Sequence, residues 1–337
     1  MEPPTSRKQL DKLGKRLATT GVLTDYDSDL FGEVLEFYQN LLDYVCDHLQ
    51  SLELEPTSRV KTTGTLIDKL QRERGIQLSR IQDLAGARVV IEGERVDQDL
   101  LVKEICGSFP HSSREPTVID RRSAPSGGYR AVHVILYPYD FPVEVQVRTE
   151  LQDVWAQIFE RVADQWGRQI RYGGAPDPGT DTPLDAAERA VLEFRRKTIE
   201  LLMRVSEQID DLENFRSQAR LAAEEMKQIE GRAPTFPEGD VEDLDVEERE
   251  HYLAWRHSTI ELMKFLIPDR RRRGRIIRRN MPRGRVSHAG CITATSAIAG
   301  PAAAMMLRYI EGTERRKTLI RDALAHIGQI PDSEGAA

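Results

Sequence analysis

Cationic side chains and one carboxylate are concentrated in a short stretch of the sequence. Arg59, Lys61, Thr65 and Lys69 recur at spacings that keep them near one side of a loop leading into a helix, and Asp83 follows just before an apolar run. Clustered cations and helix N-terminal amides both favour anions. A carboxylate beside a strand could also hold a metal. The stretch therefore suits a polyphosphate, although a solvated helix with routine surface charges would show the same pattern.

A second row of polar residues lies further along the chain. Residues 142–149 alternate strictly between apolar and polar, which predicts a strand with one buried face. Glu144, Gln146 and Arg148 would then lie side by side on the other face. A carboxylate, an amide and a guanidinium in one row suit a metal–nucleotide site. The alternative is an exposed sheet face whose charges serve only solubility.

Four ordered motifs resemble the RelA/SpoT-like nucleotide pyrophosphokinase family, which includes small alarmone synthetases and toxic relatives. They are R-x-K-x-x-x-[ST]-x-x-x-K from Arg59, D-x-x-[AG]-x-R from Asp83, Y-x-x-x-H from Tyr129 and E-x-Q-x-R-T from Glu144. The resemblance runs from about Arg59 to Tyr172. It implies an α/β fold with a mixed β-sheet flanked by helices, a nucleotidyltransferase-like core with helical extensions at both ends.

The resemblance also implies an enzyme, an ATP-dependent pyrophosphokinase that moves the β,γ-pyrophosphate of ATP to a ribose 3′-hydroxyl, usually of GDP or GTP in alarmone synthesis. The residues that would bind ATP are Arg59, Lys61, Thr65, Lys69 and Arg88, with the two arginines sandwiching adenine. The carboxylates that would hold Mg²⁺ and act in catalysis are Asp83 and Glu144. The family also uses the second of these positions to accept the proton of the attacking hydroxyl. The acceptor-binding positions are Tyr129, His133, Gln146 and Arg148.

One segment departs from the family pattern. Members that make guanosine alarmones usually carry P-K-x-N-[GL]-Y before the tyrosine, whereas residues 124–129 read Ala-Pro-Ser-Gly-Gly-Tyr. The missing Lys and Asn put guanine selectivity in doubt, and Arg121, Arg122 or Arg130 could supply the lost charge. A toxin branch of the family, which pyrophosphorylates the 3′ CCA end of tRNA and is paired with an antitoxin, tolerates such changes. A non-catalytic nucleotide-binding regulator is the third interpretation.

Composition predicts a cytoplasmic protein without a membrane partner. The net charge of −7 gives no global reason for nucleic-acid binding, so any such contact would be local. Three widely separated cysteines lack metal-ligand spacing and indicate reduced thiols. The N-terminus lacks a secretory signal pattern. Residues 289–307 carry no charge but are too rich in small residues for a membrane helix.

We expect four regions along the chain. They are an N-terminal helical region at 1–57, a synthetase core at 58–174, a helical region at 183–231, and residues 232–337 with an acidic linker, a short helix and an arginine-rich tail. Asp27 or Ser28 could cap the first long amphipathic helix. The region at 183–231 carries apolar residues at helical spacing, and this apolar face fits either packing within the chain or a homo-oligomer. Nine arginines between Arg270 and Arg285 predict either a solvated tail or a phosphate clamp for nucleic acid.

Overall fold

The computed structural model describes most of the chain. The described residues are 1–20, 24–73, 75–109, 114–177, 185–231, 233–234, 239–267, 270–282 and 285–291, with short pieces at 293–294, 297, 312, 315–322 and 324. Most of the uncharged stretch at 289–307, and parts of the predicted regions 183–231 and 232–337, lie outside these residues. In the described residues no helix is long and apolar enough to cross a membrane.

Five strands form a mixed sheet that confirms the predicted fold class. The strands are β1 (Thr57–Val60), β2 (Ala85–Ile91), β3 (Thr117–Asp120), β4 (Val132–Leu136) and β5 (Val143–Thr149). Their order across the sheet is β1-β2-β5-β4-β3. β2 and β5 are parallel, and the other neighbouring pairs are antiparallel. β5 therefore lies at the centre of the sheet, between β2 and β4.

Eight helices lie before, between and after the strands along the described part of the chain. They are α1 (Arg7–Thr20), α2 (Asp25–Ser51), α3 (Thr63–Arg72), α4 (Arg95–Ser108), α5 (Glu150–Trp166), α6 (Ala186–Gly231), α7 (Val246–Leu266) and α8 (Arg270–Asn280). Short 3₁₀ turns lie at Leu78–Arg80, Pro138–Asp140 and Arg168–Tyr172. One apolar core joins the buried faces of α1, α2 and α4 to the alternate apolar residues of the sheet.

The N-cap of the first long helix lies three or four residues before the two positions that the sequence indicated. Thr24 is the N-cap of α2, and its hydroxyl accepts a hydrogen bond from the Asp27 amide at 3.1 Å. Asp27 is buried instead and pairs with Arg16 of α1 at 2.6 Å. The expectation that Asp27 or Ser28 caps this helix was therefore wrong, because tertiary pairing with α1 takes the aspartate side chain.

The chain divides into two compact units. The first contains Met1–Asp210 and the described residues from Arg321 onward, and the second contains Asp211–Ile320. In the second unit a short ladder pairs β6 (Gly239–Asp240) with β7 (Arg285–Val286). Buried Tyr252, Trp255 and Met263 of α7 contribute to a separate apolar cluster there. The arginine run that could have been a solvated tail is helical over α8.

Candidate functional site

Strand register places the predicted polar residues on one face of the sheet. Arg59 of β1 lies opposite Gly86 of β2, and Gly86 lies opposite Glu144 of β5. Directly paired residues point to the same face. The row therefore has a cation at one end, a carboxylate at the other, and a glycine between them. Because Gly86 has no side chain, the sheet surface between the two charges is open.

The neighbouring row carries Arg88 and three of the residues predicted to bind the acceptor. Arg88 of β2 lies opposite Gln146 of β5, which lies opposite His133 of β4. Arg148 continues the same face two residues beyond Gln146. Two rows from four strands thus form one continuous polar surface, as the alternation of β5 predicted.

A cleft of about 180 Å³ lies over this surface. Its walls come from β1, β2, β5, the segments around Lys61 and Asp83, and α5. The lining residues are Thr57, Ser58, Arg59, Lys61, Asp83, Gly86, Ala87, Arg88, Glu144, Gln146, Arg148 and Glu160. Seven of the predicted site residues therefore share one cavity.

Two lysines hold Asp83 from opposite sides. Lys61 Nζ lies 2.9 Å from Asp83 Oδ2, and Lys69 Nζ lies 2.7 Å from Asp83 Oδ1. Burial alone would raise the pKa of Asp83, but the two ammonium groups outweigh it and hold the pKa below its usual value. The carboxylate is therefore ionised at neutral pH, and three charged groups meet at the edge of the cleft.

Thr65 lies in the first turn of α3, four residues after Lys61. Its hydroxyl donates to the Thr62 carbonyl at 2.9 Å and lies 3.1 Å from the Thr62 hydroxyl. Thr62 is the N-cap but makes no side-chain capping hydrogen bond. Amides of the first helical turn normally need such a partner, and a phosphate can supply it. Lys61 and Thr65 therefore lie at the start of α3, whereas Lys69 lies in its last turn and joins Lys61 only through their shared partner Asp83.

Glu144 is buried and held by two donors. His133 Nδ1 lies 2.8 Å from Glu144 Oε1, and Gln146 Nε2 donates to Oε2 at 2.7 Å. Burial acts to raise the pKa of Glu144, but the contact with His133 and the Gln146 amide lowers it below the usual glutamate value. The polar face of β5 is therefore not an exposed surface that serves solubility, because Glu144 and Arg148 are only 8% and 3% exposed.

A closed network continues from this carboxylate to α5. The Tyr129 hydroxyl lies 2.9 Å from His133 Nε2 and 3.3 Å from Gln146 Oε1. Arg148 donates to Gln146 Oε1 at 2.7 Å and to the Tyr129 hydroxyl at 3.2 Å. Burial raises the pKa of Tyr129, against the opposing effect of Arg148, so its phenol stays protonated. Each of these four side chains is thus fixed by at least one of the others.

Asp153 connects the two ends of the polar face. Its Oδ1 accepts a hydrogen bond from Arg148 at 3.0 Å and lies 3.3 Å from Arg88 Nη1, while Gln157 donates to Oδ2 at 2.6 Å. Asp153 is 7% exposed. Sequence reasoning missed this residue and Glu160, which lines the cleft. The available signal was their spacing on α5, which places both on the face turned toward β5.

The turn before Tyr129 is shaped by its two glycines. The Tyr129 amide donates to the Ser126 carbonyl at 3.0 Å, and Gly127 and Gly128 have φ of 58° and 85°. A Cβ on Gly128 would lie 3.0 Å from the Trp155 ring. Trp155 in turn donates to the Leu202 carbonyl of α6 at 2.7 Å. The segment that differs from the family pattern is therefore packed tightly between α5 and α6.

Two of the three arginines expected to replace the missing lysine have other partners. Arg122 is buried and pairs with Asp99 and Asp120 at 2.6 and 2.8 Å. Arg130 pairs with Asp210 at 3.3 Å. Neither lines the cleft, so the structure does not bring Arg122 to the predicted acceptor site. Arg121 is exposed, and its backbone amide donates to the Ala131 carbonyl.

The donor set of the cleft suits a cation that arrives with a substrate. No group of three or more His, Cys, Asp or Glu side chains arranged to hold a metal occurs among the described residues. Asp83 and Glu144 nevertheless line the same cleft, and each carboxylate oxygen has spare acceptor capacity. Mg²⁺ is commonly bound by one or two carboxylates together with substrate phosphates and water. These residues therefore fit Mg²⁺ carried by a polyphosphate.

Comparisons with known proteins support the resemblance drawn from the motifs. The family described as the region found in RelA/SpoT proteins matches residues 58–165. The match confirms for this segment the resemblance that the four motifs indicated.

Relatives extend the similarity beyond this segment. Uncharacterized proteins of Mycobacterium tuberculosis and Mycobacterium bovis are 38% identical over 180 residues. The match covers 52% of this chain and 65% of each relative, which is less than two thirds of their length.

Solved structures similar to this chain include two synthetases. Small alarmone synthetase 1 from Bacillus subtilis matches at 23% identity and a TM-score of 0.42, over 58% of this chain and 99% of that protein. Small alarmone synthetase 2 from the same organism matches at 19% identity and a TM-score of 0.36, over 55% and 96%.

Proposed function

We propose that the chain transfers pyrophosphate from ATP to the ribose 3′-hydroxyl of a purine nucleotide, with GDP or GTP as acceptor. The observation that carries the proposal is that one cleft is lined by Arg59, Lys61, Asp83, Arg88 and Glu144, with Lys69 paired to Asp83 at its edge. In the reaction the hydroxyl oxygen forms a bond to the β-phosphorus, the bond between the α- and β-phosphates breaks, and AMP leaves. The acceptor hydroxyl loses its proton.

Arg59 and Arg88 suit an adenine ring held between them. They are diagonal neighbours on β1 and β2, because Arg59 pairs with Gly86 and Arg88 pairs with Thr57. Diagonal neighbours are about 7–8 Å apart, so a ring between them lies within about 6 Å of both guanidiniums. The bare surface over Gly86 leaves room for such a ring close to the sheet.

The lysines and Asp83 suit an exchange of partners when the nucleotide binds. In the structure each lysine neutralises Asp83. Triphosphate oxygens would take over Lys61 and Lys69 together with the amides at the start of α3. Asp83 would then be released to hold Mg²⁺ with Glu144. When bound, Mg²⁺ offsets the negative charge that develops on the transferring group.

Glu144 and the residues around it would position the acceptor hydroxyl. The lowered pKa of Glu144 keeps it ionised, which suits a metal ligand, but it also makes the carboxylate a weak base in this state. His133 contacts the same carboxylate, so the imidazole of His133 would lie within hydrogen-bond distance of Glu144 when Glu144 accepts a proton. Tyr129 would stack on the acceptor base.

A second acceptor is favoured by the turn at residues 126–129. It offers backbone groups and one serine hydroxyl where guanosine-specific relatives carry Lys and Asn, and Arg122 and Arg130 are paired elsewhere. Stacking on Tyr129 alone would contribute about 1–3 kcal/mol for any base. Weak base selection suits the 3′ end of tRNA, whose terminal adenosine would be presented by the rest of the RNA. An antitoxin would then be a partner.

The test is transfer from γ-labelled ATP in parallel reactions with GDP, GTP, AMP and total tRNA. Label on GDP or GTP supports the first acceptor. Label on tRNA supports the second, provided that it disappears when periodate has oxidised the 3′-terminal ribose. Release of labelled phosphate with no labelled acceptor in any reaction would contradict pyrophosphate transfer.

A further inference from the structure

Helix α8 of the second unit carries a concentrated positive charge that the proposed reaction does not use. Its sequence is Arg-Arg-Arg-Arg-Gly-Arg-Ile-Ile-Arg-Arg-Asn from Arg270 to Asn280. Five of its arginines are exposed, namely Arg270, Arg271, Arg275, Arg278 and Arg279. At about 100° per residue, these five fall within about half of the helix circumference. We call this face the arginine face.

The opposite side of α8 is fixed to the protein. Ile276 and Ile277 pack against the apolar cluster of the second unit, and Arg273 donates to the Ile267 carbonyl at 2.8 Å. The helix is therefore held with the arginine face turned outward. This packing explains why an arginine-rich segment is a helix here and not a solvated tail.

The arginine face has no internal neutralisation. Within the described part of the chain, none of its five guanidiniums has an acidic partner within ion-pair distance. Arg275 lies three or four residues from Arg271, Arg278 and Arg279, a spacing at which like charges repel. The overall charge of the chain is −7, so this concentration is local. An external polyanion would relieve the repulsion.

We propose that the arginine face binds the sugar-phosphate backbone of double-stranded nucleic acid, independently of base sequence. Guanidinium groups bind phosphate oxygens in a bidentate manner, and five of them along about 14 Å of helix can meet several phosphates at once. No aromatic residue occurs in α8, and stacking on aromatic rings is the usual means of holding single strands. The proposal does not rest on the transfer reaction.

A membrane surface fits the same face less well. Helices that bind at lipid interfaces bury an apolar face among the acyl chains. The isoleucines of α8 are already packed against the protein's own cluster. Only the side chains of the arginine face remain to contact a partner. This favours a partner that presents phosphates in aqueous solution over a lipid interface.

The test uses the full chain and a fluorescent DNA duplex of random sequence, with anisotropy measured at several KCl concentrations. If about five phosphates are contacted, the logarithm of the association constant should fall with the logarithm of salt with a slope of about −4 to −5. Replacing Arg271, Arg275 and Arg278 by Glu should remove at least three contacts and reduce the magnitude of the slope by about 2.7 or more.

The matched control replaces Lys8, Lys12 and Lys15 by Glu. These lysines are exposed on α1 and the change in net charge is the same. Its slope should equal that of the unchanged chain. A third variant, in which Arg271, Arg275 and Arg278 are each replaced by Lys, keeps the positive charge and should keep most of the duplex binding. This variant tests the role of the charge at these positions even if the glutamate variant fails to fold.

Several results would overturn the proposal. They are failure to bind the duplex at low salt, equal loss in the α1 and α8 glutamate variants, tighter binding to a single strand than to the duplex, and binding to anionic phospholipid vesicles but not to the duplex. An RNA duplex should bind with a similar salt dependence, because the contacts are to phosphates. Strong dependence on duplex sequence would also contradict backbone recognition.

Discussion

Replacing Asp153 by Asn should destabilise the protein, because this carboxylate neutralises two arginines of the polar face. Arg148 is 3% exposed and donates to Asp153 at 3.0 Å, and a buried charge-assisted hydrogen bond contributes about 1.5–3 kcal/mol. Arg88 is partly exposed, so its contact at 3.3 Å adds less than about 1 kcal/mol. The amide retains one neutral acceptor. We therefore expect a loss of about 2 kcal/mol, or about 4–8 °C in Tm.

The assay is thermal unfolding followed by circular dichroism, with Asp164→Asn as the control. Asp164 lies on the same helix and pairs with Arg171 at 2.6 Å, but it is exposed, so its replacement should cost less than about 1 kcal/mol. Because Asp153 contacts one arginine of the proposed ATP site and one of the proposed acceptor site, its replacement should also raise both KM values. Equal Tm shifts in the two variants would refute the reasoning.

Three further outcomes are expected. Arg59→Lys keeps the charge but loses the planar group, so ATP affinity measured by calorimetry should fall about tenfold; unchanged affinity would indicate a purely structural arginine. Gly128→Ala forces a side chain into a φ of 85° against Trp155 and should cost about 1–3 kcal/mol in urea unfolding, whereas Gly107→Ala in α4 should be neutral or stabilising. Burial acts to raise the pKa of Asp120, but the contacts with Arg122 outweigh burial and lower this pKa below its usual value. The ionised Asp120 carboxylate therefore stabilises the fold above about pH 4, and this stabilisation is lost as the pH falls through the lower pKa of the folded state. The stability difference between the unchanged chain and Asp120→Asn should therefore shrink in acid, and a difference independent of pH would contradict this pairing.

Local patterns predicted the parts of the site that depend on a single element. The alternation of β5 placed Glu144, Gln146 and Arg148 on one face, because side chains of a strand alternate with a period of two. The four motifs identified the remaining site residues through a resemblance. The row of Arg59, Gly86 and Glu144 could not be read from the sequence, because it depends on which strands pair and in what register.

Expectations that needed partners from distant elements were less successful. Arg122 was expected near the acceptor, but Asp99 of α4 takes its side chain, and no local pattern indicates that contact. Asp27 was expected to cap α2, but Arg16 of α1 binds it. In α8 the two isoleucines among the arginines were the available signal that the segment packs as a helix. The four region boundaries, the homo-oligomer and the cytoplasmic location stay predictions.

The most direct test of the central claim is transfer from γ-labelled ATP in the presence of Mg²⁺, compared between the unchanged chain and the variants Asp83→Asn and Glu144→Gln. We expect the unchanged chain to form labelled acceptor and an equal amount of AMP. In either variant transfer should fall by about a thousandfold or more, because a carboxylate that would hold the charge-neutralising Mg²⁺ is lost, while ATP binding should survive in part. Transfer at full rate in either variant would contradict the assignment of the site, and absence of labelled acceptor with the unchanged chain would contradict the proposed reaction.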